Sequence, residues 1–263
     1  LTYRPVRRLK ELTEQEKQRE PLYDFVSEDG IGHRIWKVEN MAAGQEMEKE
    51  FEKIPATYIA DGHHRAASAV KVALKRREQY PCKGANAEFN FFLSVLFPAD
   101  ELMILPYNRV VKDLNGRSPE EFLEEISRDF YVKKLGTEAF APKEKGSFGM
   151  YLEGNWYELS LKSGMLPENP VEALDVSMLQ DRLLGPVLGI RDVRKDKRID
   201  FVGGIRGLSE LERRANCDMR VAFSMYPTSM EELLSVADAG LLMPPKSTWF
   251  EPKLRSGIFI HQL

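Results

Sequence analysis

Thr57-Tyr58-Ile59-Ala60-Asp61-Gly62-His63-His64-Arg65 is the stretch on which the reading of this chain turns. Thr57 to Ala60 is short, apolar and partly β-branched, the composition of a buried strand. Ala66 to Arg77 follows, with Ala66, Ala69, Val70, Ala73 and Leu74 on one helical face. A strand that turns through Gly into a helix leaves unbonded N–H groups and the positive end of the helix dipole at the turn. Asp61, His63, His64 and Arg65 add a carboxylate, two imidazoles and a guanidinium there, a set suited to a phosphate-bearing ligand. An Asp-Gly turn with a capping Asp would account for Asp61 and Gly62 alone. A capping turn has no need of two histidines and an arginine, yet half of the chain's four histidines lie here.

Composition narrows the function classes. At 263 residues the chain has room for one large domain or two small ones, either with a sizeable core. Hydrophobic residues make up 43% and charged residues 30%, as in ordinary globular proteins. Lys plus Arg total 38 against 41 Asp plus Glu, so no nucleic-acid partner is expected. No apolar run approaches a membrane span and no signal peptide is visible, so no membrane partner is expected. Cys82 and Cys217 are too few for a disulfide framework and lack metal spacing, which points to a reducing cytoplasm. The opening Leu1-Thr2-Tyr3-Arg4, followed by a charged, solvated helix from Arg7 to Glu20, reads as a continuation; an N-terminal portion is expected upstream.

Periodicity and capping signals order the rest. His33 to Val38 alternates as a strand after an Asp29-Gly30 turn, and Met41 to Lys53 reads as a helix. Lys83 to Asn86 is a loop. Phe89 to Phe97 is nearly all apolar, which predicts a central strand covered on both faces. Met103–Leu105 and Asn108–Val111 read as extended segments around Pro106-Tyr107. Ser118-Pro119-Glu120-Glu121 carries a capping box and an N1 proline, with Phe122, Ile126 and Phe130 as the buried face. Further capping boxes are expected at Ser209–Glu212 and Ser229–Glu232, the second helix ending near Gly240. Residues 149–161 read as a hairpin about Glu153-Gly154-Asn155, and Ile199–Val202 and Arg220–Met225 as strands. Strands alternating with helices in the last third predict an α/β layer.

Three further constellations carry polar chemistry. Met243 to Gly257 is a long loop with three prolines, two aromatics and three cations. Within it Lys246-Ser247-Thr248 matches the end of a P-loop without the upstream glycines. A proline-stiffened surface loop explains the stretch equally well. Residues 200–207 end a strand in three glycines beside Arg206, either a close approach for an anion or a plain tight turn. Asn108 and Arg109 follow a buried segment and sit either at the rim of a site or in a structural role.

Together ADGHHRAASA (60–69), FPADELMILPYNRVVKDLNG (97–116), KRIDFVGGIRG (197–207), YPTSMEELLSVADAG (226–240) and MPPKSTWFEPKLRSG (243–257) resemble the domain-of-unknown-function 1015 family. Five motifs in order make the resemblance specific, and it covers nearly the whole chain from His33 onward. The family looks related to the ParB/sulfiredoxin-like superfamily, whose free-serine kinases carry a very similar DGHHR stretch in the active site. The resemblance implies a mixed α/β fold. A ParB/sulfiredoxin-like strand–turn–helix core would span residues 1–140, and a C-terminal α/β subdomain over 141–263 would close the site. It implies a kinase that transfers a phosphoryl group from ATP or ADP, with Mg²⁺, to a small-molecule hydroxyl. Free L-serine, giving O-phosphoserine, is the leading acceptor; the alternative is a non-catalytic nucleotide-binding regulator.

On this reading Asp61, His63 and His64 are catalytic, and Asp61 also holds the metal. Gly62, Arg65, Arg206, Lys246, Ser247 and Thr248 bind nucleotide phosphates, and Asn108 and Arg109 bind the acceptor. Lys246 is expected in the same cleft as Arg65, because one arginine and a helix dipole neutralise only part of a polyphosphate. The related kinases use a glutamate upstream of the motif as base, and no residue here matches it. A metal-dependent hydrolase is disfavoured, since adjacent histidines lack the i, i+4 spacing of common zinc sites.

Overall fold

In the computed structural model, which describes residues 1–255 and 257–262, the chain forms two compact units. One comprises Leu1–Leu102 with Leu254–Leu263, the other Met103–Lys253. Residue 140, the boundary read from the sequence, lies between two strands of the second unit's sheet.

The first unit is built from short pieces. These are β1 (Thr2–Tyr3), α1 (Arg7–Glu16), the hairpin β2 (Tyr23–Val26) and β3 (Gly32–Ile35), α2 (Met41–Glu52), α3 (His63–Gln79) and β4 (Phe97–Pro98). β1 runs parallel to β4, and Thr2 exchanges two 2.8 Å backbone hydrogen bonds with Tyr58. The hairpin closes at Asp29-Gly30, where Gly30 adopts φ +79°. Asn40 caps α2 by accepting from the Ala42 amide at 3.0 Å. α1 is not wholly solvated: Leu9, Leu12 and Glu16 are buried.

Two expectations for this unit need correction, while the helix read over Ala66–Arg77 forms within α3. Thr57–Ala60 is not a buried strand; only Tyr58 pairs, and Thr57 and Ile59 are exposed. α3 buries none of its residues, and Val70 and Leu74 are more than half exposed. Phe89–Phe97 is not a central strand. It forms a 3₁₀ turn over Glu88–Asn90 and then an irregular run with Phe91, Phe92 and Leu93 53%, 47% and 51% exposed. A uniformly apolar run does not specify which residues meet a partner strand. The partner here is the two-residue β1, which engages only Phe97 and Pro98, so the ladder goes no further.

The second unit has one dominant sheet. Its elements are β5 (Met103–Leu105), β6 (Tyr107–Val111), α4 (Pro119–Ile126), β7 (Phe130–Gly136), β8 (Ser147–Leu152), β9 (Asn155–Leu161), α5 (Asp175–Leu179), β10 (Ile199–Gly203), α6 (Gly207–Cys217), β11 (Val221–Met225), α7 (Met230–Asp238) and β12 (Trp249–Glu251). Six strands in the order β10-β6-β11-β8-β9-β7 pair antiparallel throughout, and β12 pairs with β5 as a separate ribbon. The chain is therefore a mixed α/β protein. The β8–β9 turn is Glu153-Gly154, both at positive φ (47° and 75°), the handedness that matches strand twist. One face of the sheet packs Phe148, Met150, Leu159 and Phe223 against Phe122 and Ile126 of α4 and Leu179 and Leu183 at and beyond α5. The other packs Tyr151, Trp156 and Val202 against Leu211 of α6. Each such side chain, removed from water, contributes about 1.5–3 kcal/mol.

The capping boxes at Ser118 and Ser229 form as expected, with both reciprocal hydrogen bonds present. The one expected at Ser209 does not. Gly207, at φ +73°, turns the chain directly into α6, so Ser209 lies inside the helix and no side chain caps it. Ser229→Ala should therefore cost about 1 kcal/mol in urea unfolding. Ser209→Ala should lie within about 0.5 kcal/mol of the parent. Equal losses at the two serines would contradict this assignment.

Candidate functional site

Asp61-Gly62-His63-His64-Arg65 forms the entry to α3 in the first unit. Gly62 is the N-cap, in the left-handed region at φ 85°, ψ 31°, which only a residue without Cβ adopts at little cost. Its carbonyl accepts the first helical bond from Ala66 at 3.0 Å. The amides of His63, His64 and Arg65 thus occupy the first turn, where a helix offers no internal acceptors, and among the described residues no side chain caps them. Asp61 instead turns its Oδ1 onto the Gly62 amide at 2.8 Å. Arg65 folds back over the glycine: a Cβ on Gly62 would lie 2.9 Å from its Nη2 and 3.1 Å from its Nε. Glycine therefore serves both the left-handed turn and the close approach of the guanidinium.

His63 and His64 are exposed and, as consecutive helical residues, diverge by about 100°. The arrangement sets free amides, a guanidinium, a carboxylate and imidazole at one solvent-facing helix end. A helix end of this kind can hold an anion.

The second unit holds the other expected residues, and separates them by burial. Asn108, Arg109 and Ser247 are buried. Asn108 Oδ1 accepts from the Met225 amide at 3.0 Å, and Ser247 Oγ donates to the Pro244 carbonyl at 2.7 Å. Arg109 is 3% exposed and donates from Nη2 to the Lys246 carbonyl at 3.1 Å and from Nη1 to the Tyr107 carbonyl. Burial pushes its pKa down to about 10, leaving it charged at neutral pH. Lys246 is exposed, with its backbone left-handed at φ 59°. Its ammonium lies 5.6 Å from the Tyr107 ring centre and 5.8 Å from that of Phe201. Thr248 is half-buried. Arg206 is exposed and 3.9 Å from Glu210.

Met243–Gly257 is not one loop. Trp249–Glu251 pairs as β12, Lys246 belongs to the second unit, and Arg255 binds Asp29 in the first. Ser256 lies outside the described residues. Arg65 and Lys246 belong to different units.

Sequence reasoning missed two features. The aromatic platform of Tyr107, Phe201 and Trp249 has Tyr107 at 5.6 and 5.5 Å from the other two rings. Its signal was the pair of aromatics flanking the 106–109 and 200–204 turns. The other is Asp175, 6% exposed, whose Oδ1 accepts from the Gly146 amide at 2.9 Å while Oδ2 is buried without a partner among the described residues. A single carboxylate amid Leu174, Val176, Met178 and Leu179 was the signal there.

The chain belongs to the family described as "Protein of unknown function (DUF1015)", whose model matches residues 1–177. No curated protein matches the sequence. Among solved structures, a point mutant of a free serine kinase in complex with AMP is 14% identical; the match covers 95% of this chain and 82% of that one, with a TM-score of 0.39. Another mutant, in complex with ADP, is 15% identical over the same shares at 0.37. A conserved hypothetical protein from Pyrococcus furiosus is 15% identical, covering 95% and 85%, at 0.36.

Among the described residues no helix is long and apolar enough to cross a membrane, and no group of three or more His, Cys, Asp or Glu is placed to hold a metal.

Proposed function

We propose that this protein is a small-molecule kinase that passes a phosphoryl group from a nucleotide to an alcohol, with free L-serine as the first acceptor to test. One observation carries the reading: the uncapped first turn of α3 enters through a left-handed Gly62, with the Arg65 guanidinium laid over it. Phosphoryl transfer asks a protein chiefly for positioning and for neutralisation of charge on the transferred group. The amides of His63, His64 and Arg65, the helix dipole and the Arg65 guanidinium supply that neutralisation on one side of a phosphate. The likeness of this turn to the DGHHR stretch of free-serine kinases supports the same assignment.

Asp61 orients the attacking hydroxyl or accepts its proton, and one of the two histidines meets the transferred group near neutral pH. Mg²⁺ typically takes one or two protein carboxylates and completes its shell with phosphates and water, a demand that Asp61 fits without a protein-only cage. Bound there it would neutralise phosphate charge.

The test is product formation. Full-length protein incubated with ATP or ADP and a panel of amino acids and sugars should yield one phosphorylated product by mass spectrometry. Asp61→Asn should lower turnover at least about a hundredfold with unchanged melting. Nucleotide binding without any product across the panel would favour the non-catalytic regulator. Near-normal turnover of Asp61→Asn would reduce Asp61 to a turn residue.

A further inference from the structure

We propose that Lys246 and the Tyr107 hydroxyl form a phosphoryl-binding subsite in the second unit, and that buried Arg109 is the positioning residue that holds it open. The inference rests on the reading of the protein as one that handles phosphate esters, and it assigns groups to a unit that reading left without geometry.

Lys246 Nζ donates to the Tyr107 hydroxyl at 3.4 Å. Because the ammonium is the donor, the phenol keeps its own proton to give away, and the ammonium keeps two more. Three donors therefore converge at one exposed point on the Tyr107–Phe201 platform. Neither Lys246 nor Arg109 has an ion-pair partner among the described residues. Asp200 feels the Lys246 charge but is engaged by Arg214 at 2.8 Å. Two neighbouring cations without a carboxylate of their own form a site that a multiply charged oxyanion completes.

Arg109 makes this geometry possible without touching the ligand. Its fork grips the carbonyls of Tyr107 and Lys246 at once, across 137 residues of sequence, while its guanidinium faces the Phe201 ring at 5.7 Å. Lys246 is a non-glycine residue held at φ 59°. Such a residue relaxes unless its surroundings over-determine it. The carbonyl gripped by Arg109 is that of the strained residue itself. Ser247, buried next to it, donates back to Pro244 and closes the same turn. A lysine in place of Arg109 keeps the charge but has no fork with which to reach both carbonyls. That difference separates positioning from simple electrostatics.

Pyrophosphate and ADP, titrated into the full chain by calorimetry with acetate as the control, test the subsite. The wild type should bind both phosphate compounds and not acetate. Lys246→Ala should weaken them about tenfold or more, and Tyr107→Phe severalfold. Arg109→Lys should weaken them as much as Lys246→Ala, and the double variant no further. Wild-type-like binding by Arg109→Lys, or additive losses in the double variant, would overturn the positioning role. Wild type that binds neither phosphate compound, or binds acetate equally well, sinks the subsite.

Hydrogen exchange of the ligand-free protein tests positioning independently of any nucleotide. The Ser247 and Thr248 amides should exchange at least about tenfold faster in Arg109→Lys, with β8 and β9 unchanged. Unaltered exchange would end the proposal even if nucleotide binds, and Arg109→Gln serves as the second variant should the lysine form fail to fold.

Discussion

Asp175→Asn should make the protein's stability far less dependent on pH. Desolvation inside the core is the main cause that raises the Asp175 carboxyl from its ordinary 3.8 to about 7. The Gly146 amide and Lys145 pull it back down, and Glu232 pushes it up. Glu232 itself is held below the usual carboxylate range: burial opposes this, but Lys145 at 2.5 Å and the Ser229 cap outweigh it. Two neighbouring carboxyls are thus driven apart, one kept neutral and one kept charged.

The sign follows from proton binding. Below about pH 4 the folded and unfolded chains both hold the Asp175 proton. Between about 4 and about 7 only the folded chain holds it, so stability falls as pH rises through that window. Roughly three pH units at about 1.4 kcal/mol each set an upper bound near 4 kcal/mol. Asparagine has the same shape and no proton to lose. Its amide carries a constant cost that cancels when one variant is compared across pH. Urea unfolding at pH 5 and pH 8 should therefore show the asparagine form gaining about 2–4 kcal/mol on the wild type between the two. Parallel pH profiles would falsify the assignment.

Gly149→Ala should cost about 3 kcal/mol or more, among the largest losses available to a single methyl group here. Gly149 lies in β8 opposite Ser224 of β11. A Cβ built there would collide with Ser224 Oγ and stand 2.6 Å from the Phe140 carbonyl oxygen. Those two atoms are hydrogen-bonded to each other at 2.8 Å, joining β11 to the β7–β8 connection. Moving the serine breaks that bond and leaves a part-buried carbonyl without its donor, and moving the carbonyl shifts backbone. Gly146→Ala is the comparison. Gly146 has φ +80° but nothing within 4 Å, so only backbone strain applies and about 1 kcal/mol is expected. Similar melting temperatures for the two variants would show that the sheet yields more readily than this packing implies.

Local signals carried the parts of the fold whose causes are local. The Ser118 and Ser229 capping boxes and the Glu153-Gly154 hairpin depend on neighbours within a few residues, so the sequence states them outright, whereas the strands at Ile199 and Val221 show in their composition but take the distant β6 as partner. The turn at Asp61–Arg65 was legible for the same reason. Its Gly, its charges and the helix that follows are contiguous, and the glycine does adopt the left-handed geometry such a turn needs.

Partnership is what the one-dimensional reading lacked. Nothing in Phe89–Phe97 says that β1 offers only two residues to pair with, and nothing in α3 says that its apolar face stays half-exposed. Asn108, Arg109 and Ser247 read as polar groups near a site. The tertiary structure instead turns all three inward, onto the Met225 amide and the carbonyls of Tyr107, Lys246 and Pro244. A buried polar group must find a partner, and only the three-dimensional path of the chain decides which one. Sequence alone thus determined the helix starts at Ser118 and Ser229, the Glu153-Gly154 turn and which stretch gathers a carboxylate, two imidazoles and a guanidinium. Tertiary structure decided which of those polar side chains face solvent, because burial and hydrogen bonding between distant segments are properties of the packed chain.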